Sequence, residues 1–282
     1  MTPGLADLLH SASGFIFDMD GTIALGDSAS GGHRALPGAI DLLRAIKRKG
    51  VPFRVFTNGT AKAPAAYAAS LRGAGFDLDD GEMMTPSSSA ASWFVRQGIS
   101  RVRVLGNAGV AAPLVEAGIT CFGPAEPAEG VEAVYTGWHR EFVFADLEAA
   151  CRSVWDGAIL TTASHVPFFA TATGRGIGAS YAINAMITAM TGKRAKVLGK
   201  PSRIAFDAAA HAMGIKGADR RRIVIFGDDP ALEMRMAHNG RAMGVGMTTG
   251  IMGADTVDTL RPAERPYVVI DSLEPLADLV RA

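Results

Sequence analysis

The segment Phe15-Ile16-Phe17-Asp18-Met19-Asp20-Gly21-Thr22 decides the fold. A short apolar run ends in two carboxylates separated by one residue. Phe15 to Phe17 read as a strand buried on both faces. In extended backbone, residues two apart face the same way, so Asp18 and Asp20 point together and Met19 points away. Ligands of open α/β sheets sit at the carboxyl ends of the strands. Two acids so close repel each other unless a cation or a shared proton intervenes. Taken alone, the segment is equally a polar loop capping a strand.

Outward from this segment the chain alternates strand and helix. Residues 37–49 read as a helix, with Pro37 in the first turn, Ile40, Leu43 and Ile46 on one side, and Gly50 as the stop. Residues 51–56 read as a strand ending at Thr57-Asn58-Gly59, and residues 64–71 as a helix. Toward the other end, residues 202–213 and 231–238 read as helices, 223–226, 241–245 and 267–270 as strands, and 273–280 as a closing helix. The middle alternates too, with strands expected at 101–105, 131–136 and 158–160. Buried apolar runs between helices indicate a parallel sheet covered on both faces. The expected fold class is α/β: a doubly wound core from residues 1–81 and 186–282, with a smaller α/β cap domain inserted over residues 82–185.

Composition sets the outer limits. The 282 residues are 48% hydrophobic and 20% charged, enough to bury a substantial core and to exclude wholesale disorder. Lys plus Arg and Asp plus Glu are each 28, so no global positive field draws nucleic acid or an anionic membrane. The N-terminus lacks a basic region followed by an apolar run, and no apolar stretch approaches the ~18–20 residues of a membrane span. The two cysteines, Cys121 and Cys151, form no CxxC pair. A soluble, cytoplasmic protein is expected.

Three further segments supply groups that complement the two acids. Thr57-Asn58-Gly59 offers a hydroxyl and turn amides to an anion. Gly199-Lys200-Pro201 gives a cation just before a helix start at Ser202. Gly227-Asp228-Asp229 follows the strand at 223–226 and adds carboxylate. Each has a plain structural alternative: a turn, a solvated lysine, a helix N-cap pair. Together they are the parts needed to hold and transfer a phosphoryl group: acids for Mg2+, a nucleophile, a hydroxyl and a lysine.

The ordered set DMDGT, TNG, GKP and GDD resembles the haloacid dehalogenase-like superfamily of phosphohydrolases. The TNG after the second strand, the long insertion before GKP and the GRGIG segment resemble its subfamily with a large α/β cap, which includes 4-nitrophenylphosphatase-like enzymes. The resemblance covers nearly the whole chain. It implies a Mg2+-dependent phosphomonoester hydrolase acting on a small phosphorylated metabolite through an aspartyl-phosphate. Asp18 then matches the nucleophile and Asp20 the general acid and base, whose backbone carbonyl also ligates Mg2+. Thr57, Asn58 and Gly59 match the phosphate-positioning motif. Lys200 matches the cation that orients Asp18, and Asp228 the metal-ligating acid. Glu233 stands where the subfamily usually has Asp, which leaves the outer metal shell to Glu233 or Asp229. In the cap, His165 and Arg175 replace an acid and a proline of the subfamily pattern. They imply either drift on a surface loop or a more positive cap side, on which Arg175 with His165 receives a second anionic group on the substrate. The resemblance is compatible with a homodimer, and with no nucleic-acid or membrane partner. A non-catalytic or regulatory binding protein of the same fold, or a phosphomutase, is the alternative.

Other signals are weaker. Gly174-Arg175-Gly176-Ile177-Gly178 lacks GxGxxG spacing, and Lys193, Arg194 and Lys196 stand where a ribose-binding acid belongs, so a turn between cap and core is expected. The six histidines are scattered, without zinc spacing. Trp93, Trp138 and Trp155 are expected to be packing residues.

Overall fold

The computed structural model describes residues 4–27, 32–171 and 174–281. They divide into two compact units. The first comprises Met1–Thr57, Ala65–Met84 and Lys200–Ala282, and the second Asn58–Pro64 and Thr85–Gly199.

The first unit is built on a six-stranded sheet, all parallel. Across the sheet the strands run Val268–Ile270, Met243–Met247, Ile223–Gly227, Gly14–Phe17, Phe53–Phe56 and Met83–Met84. Numbered along the unit, that is the doubly wound order 3-2-1-4-5-6 read from the other edge. The strand order therefore reverses between Gly14–Phe17 and Ile223–Gly227. That reversal opens a crevice at the carboxyl ends of these two strands, where open α/β sheets take their ligands.

Strand alternation explains why both faces of the sheet are buried. Phe15, Phe17, Val224 and Phe226 point to one side, into a cluster with Leu42, Ile46, Leu71 and Leu276. Ile16, Ile223 and Ile225 point to the other, against Phe206, Ala209 and Met236. Phe17 and Phe226 stack across adjacent strands with ring centroids 4.8 Å apart. Each such ring removed from water is worth about 1.5–3 kcal/mol, so the two strands that bear the acids are among the most firmly held.

The second unit has its own parallel sheet, of five strands: Lys196–Val197, Ile159–Thr162, Ala133–Thr136, Arg101–Leu105 and Thr120–Phe122. Read along the chain this is the order 2-1-3-4-5, a second doubly wound arrangement. An antiparallel hairpin pairs Phe168–Thr171 with Gly174–Ile177.

The α/β fold class and the inserted unit agree with the sequence reading. The compact unit runs on to Gly199, past the boundary expected at residue 185. Ile183 and Ile187 of the helix Ala179–Thr191 pack with Leu147, Cys151 and Leu160, and Lys196–Val197 pairs with Ile159–Thr162. The GRGIG segment, expected as a connecting turn, instead supplies a hairpin strand inside this unit. Trp93 is buried as expected, but Trp155, at the end of its helix, is 61% exposed. Among the described residues no helix is long and apolar enough to cross a membrane.

Candidate active site

Asp18 leaves the sheet still attached to it, its N–H donating to the carbonyl of Phe226 at 2.9 Å. The chain then turns. The carbonyl of Met19 accepts the N–H groups of Ile23 and Ala24 at 3.1 and 3.0 Å, and Gly21 takes φ +81°, a left-handed conformation suited to glycine. The Met19 side chain is buried in the core, so Asp18 and Asp20 are left on the open side as the alternation requires.

Asp228 follows the neighbouring strand, whose register sets Phe226 beside Phe17. Its Oδ2 accepts the N–H of Ile251 at 2.8 Å. Lys200 enters from the start of the helix Arg203–Ala212, which Ser202 caps by accepting the N–H of Ala205 at 3.1 Å. Its Nζ donates to Asp18 Oδ1 in a close contact and lies 2.6 Å from Glu233 Oε1. Lys200 and Glu233 are each only 1% exposed. Glu233 belongs to a π-helical turn, Pro230–Met234, and its Oε2 accepts the Asp229 N–H at 3.2 Å. Such turns recur at functional sites. Asp229 instead caps this turn, accepting the Ala231 N–H at 2.8 Å.

Electrostatics follow from crowding. Asp18, Asp228 and Glu233 can each offer a ligand oxygen, and these atoms lie within 4.8 Å of one another. One ammonium cannot neutralise three buried carboxylates. Burial, then the charge of Asp18, pushes Asp228 up to about 6. Burial likewise drives Glu233 above the usual carboxylate range, against the opposing pull of Lys200. Burial by itself would lower Lys200; the charges of Asp18 and Glu233 outweigh it and hold the ammonium above its ordinary value. Asp20 keeps an open side to solvent, yet desolvation by its neighbours and the charge of Asp18 push it up to about 6.

Thr57 is buried at the end of the strand on the other side of Gly14–Phe17, its N–H donating to the Met84 carbonyl at 3.2 Å. Asn58 and Gly59 fall in the second unit, where a Cβ on Gly199 would stand 2.9 Å from Asn58 Oδ1. His165 and Arg175 also belong to that unit but have separate surroundings. His165 meets the Tyr181 ring edge-on at 5.6 Å, and the exposed Arg175 guanidinium lies 4.5 Å over Phe168.

Residues 15–120 match the family model described as haloacid dehalogenase-like hydrolase, and residues 197–276 match a second model of the same kind. The chain belongs to the haloacid dehalogenase-like hydrolases. Chronophin of Mus musculus is 27% identical over 98% of this chain and 94% of its own length. The crystal structure of 4-nitrophenylphosphatase from Thermotoga maritima superposes with a TM-score of 0.83 at 24% identity, covering 97% of this chain and 99% of that one. The glycerol phosphate phosphatase of Mycobacterium tuberculosis, solved in complex with magnesium, gives 0.81 at 21% identity, covering 95% of this chain and 77% of that one.

A divalent cation suits this hydrolase on its own chemistry. The cluster is all hard oxygen, carries more negative charge than Lys200 offsets, and brings its ligand atoms within 4.8 Å of one another. The backbone is cut close around Asp228: a Cβ on Gly21 or Gly250 would stand 2.5 or 1.9 Å from its Oδ2. The sequence named Asp18, the backbone carbonyl of Asp20 and Asp228 for the metal but left Glu233 and Asp229 open. Here Glu233 joins the cluster and Asp229 serves as a cap. Thr249, Gly250 and Ile251 went unmarked in the sequence. Their contribution is a hydroxyl and backbone, and only the TTG following an apolar run could have signalled it.

Proposed function

We propose that this protein is a Mg2+-dependent phosphomonoester hydrolase for a small phosphorylated metabolite, working through an aspartyl-phosphate on Asp18. The supporting observation is the cluster of Asp18, Lys200, Asp228 and Glu233, with Asp20 beside it, at the reversal of strand order. Asp18 and Asp228, with Glu233 and the Asp20 carbonyl, would hold the cation, which when bound supplies charge neutralisation for the phosphoryl oxygens.

In the first step a carboxylate oxygen of Asp18 attacks phosphorus. The bond to the ester oxygen breaks, and Asp20 gives that oxygen its proton. In the second, Asp20 takes a proton from water as the water oxygen attacks phosphorus. The Asp18–phosphorus bond breaks, and phosphate and Asp18 are released. Lys200 fixes Asp18 Oδ1 and so holds the nucleophile in one orientation. Thr57, Asn58 and Gly59 receive the phosphoryl oxygens through a hydroxyl and turn amides. The raised pKa of Asp20 serves its role: near 6, about one carboxyl in ten carries a proton at pH 7, against about one in a thousand for an unperturbed Asp.

Arg175, with His165, recognises a second anionic group on the substrate. Its exposed guanidinium, steadied against Phe168, supports that role. Two free cysteines support a reducing, cytoplasmic setting. The reading is tested by phosphate release over a panel of phosphomonoesters with and without Mg2+. Release that requires both Mg2+ and Asp18 is expected.

A further inference from the structure

We infer that Thr249 and Gly250 are positioning residues for the metal ligand Asp228, and that their loop sets the affinity of the cation site. The inference rests on the metal-dependent reading above. Two features of one short loop converge on the Asp228 carboxylate, and two further hydrogen bonds anchor that loop. The Ile251 N–H donates to Asp228 Oδ2 at 2.8 Å, and the Met252 N–H donates to the Asp228 carbonyl at 2.9 Å. Gly250 lies so close that a Cβ there would stand 1.9 Å from Oδ2 and 2.6 Å from Cγ. The Thr249 hydroxyl donates to the Gly21 carbonyl at 2.5 Å, which ties this loop to the turn bearing Asp18 and Asp20.

The consequence is directional. Oδ2 of Asp228 accepts a backbone N–H and lies hard against both Gly250 and Gly21, which leaves Oδ1 as the oxygen offered to a cation. The Thr249 hydroxyl couples the two acid-bearing loops that must approach a common ion. Groups that orient metal ligands in this way change metal affinity by about 10–100-fold when removed.

The test is Mg2+ titration of the metal-free protein by calorimetry, with thermal unfolding in parallel. Gly250→Ala forces the carboxylate to move and should weaken Mg2+ binding by about tenfold or more. Thr249→Val should weaken it by about tenfold, while Thr249→Ser, which keeps the hydroxyl, should bind like wild type. Gly73→Ala, where a Cβ meets nothing within 4 Å, is the matched control and should not change binding. In turnover, Thr249→Val should need more Mg2+ for half-activation yet reach nearly the wild-type kcat at saturating Mg2+. A purely structural role would lower the melting temperature and leave the Mg2+ Kd unmoved. If Gly250→Ala fails to fold, the Thr249 pair decides. Wild-type Mg2+ affinity in Thr249→Val, or no Mg2+ binding by the wild-type protein, overturns the inference. The expected binding pattern in a protein that releases no phosphate would refute the hydrolase reading and leave this inference standing.

Discussion

Glu233 packs directly on Gly227: a Cβ at residue 227 would stand 2.1 Å from Glu233 Cγ and 2.3 Å from its Cβ. The strand carrying Asp228 thus ends in the one residue type that lets Glu233 reach Lys200. Gly227→Ala should displace Glu233, free Lys200 from one of its two acids, and lower kcat by about tenfold or more, on the scale of other misplaced positioning groups. The check is steady-state kinetics beside a circular dichroism spectrum. A folded variant with wild-type kcat would show that the contact is dispensable.

Lys200 is the cation of a buried ion cluster, and its removal leaves Asp18 and Glu233 facing each other. Losing one partner of a buried pair costs about 3–5 kcal/mol. Protonation of the raised Glu233 absorbs part of that cost, so Lys200→Met should unfold at the low end of the range while losing most activity. Chemical denaturation measures the first effect and phosphate release the second.

The raised carboxyls give the metal-free protein a definite pH dependence. In the fold Asp20 and Asp228 stand near 6, against roughly 3.9 in an unfolded chain. An acid raised in the fold favours the protonated native state. Its stabilising contribution is complete below about pH 4 and is lost as pH rises through about 6. For the buried Asp228 the loss is on the order of 2–3 kcal/mol. Mg2+ binds the ionised carboxylates, so the rise in melting temperature caused by Mg2+ should grow between pH 5 and 8. A Mg2+ shift that is flat or falls over that range contradicts these assignments.

Arg175→Ala bears on substrate selection. If Arg175 pairs with a second anionic group, kcat/KM should fall about ten- to a hundredfold for an ester carrying an extra carboxylate, the scale of one lost charge-assisted contact. A neutral ester should be affected much less. An equal fall for both esters would remove Arg175 from any role in charge selection.

Much of this was legible in the sequence because the signals are local. Phe15-Ile16-Phe17 before Asp18, and Ile223 to Phe226 before Asp228, are runs whose burial and strand ends can be read without tertiary information. The harder cases each depend on something non-local. Whether Asp229 or Glu233 joins Asp228 in the cluster depends on the π-helical phase of Pro230–Met234, which an ordinary 3.6-residue period does not give. Met83–Met84 and Lys196–Val197 are two-residue strands, too short for alternation to show. The strand Gly174–Ile177 is two glycines, Arg175 and a single apolar residue, too little alternation to mark a strand, so GRGIG reads as a turn. The hold on Asp228 comes from backbone N–H groups and the absence of a side chain at Gly250, features that composition and charge do not reveal.

The central claim is that Asp18 becomes phosphorylated during turnover. Asp20→Asn removes the base for the second step, and a 4-nitrophenyl ester, whose leaving group departs without a proton, spares the first, so the intermediate should accumulate. The direct measurement is rapid acid quench of Asp20→Asn with Mg2+ and this ester, followed by peptide mass spectrometry. The account predicts one phosphoryl group, on the peptide containing Asp18 and absent from Asp18→Asn. Phosphorylation of another residue, or turnover by Asp18→Asn at the wild-type rate, would contradict it.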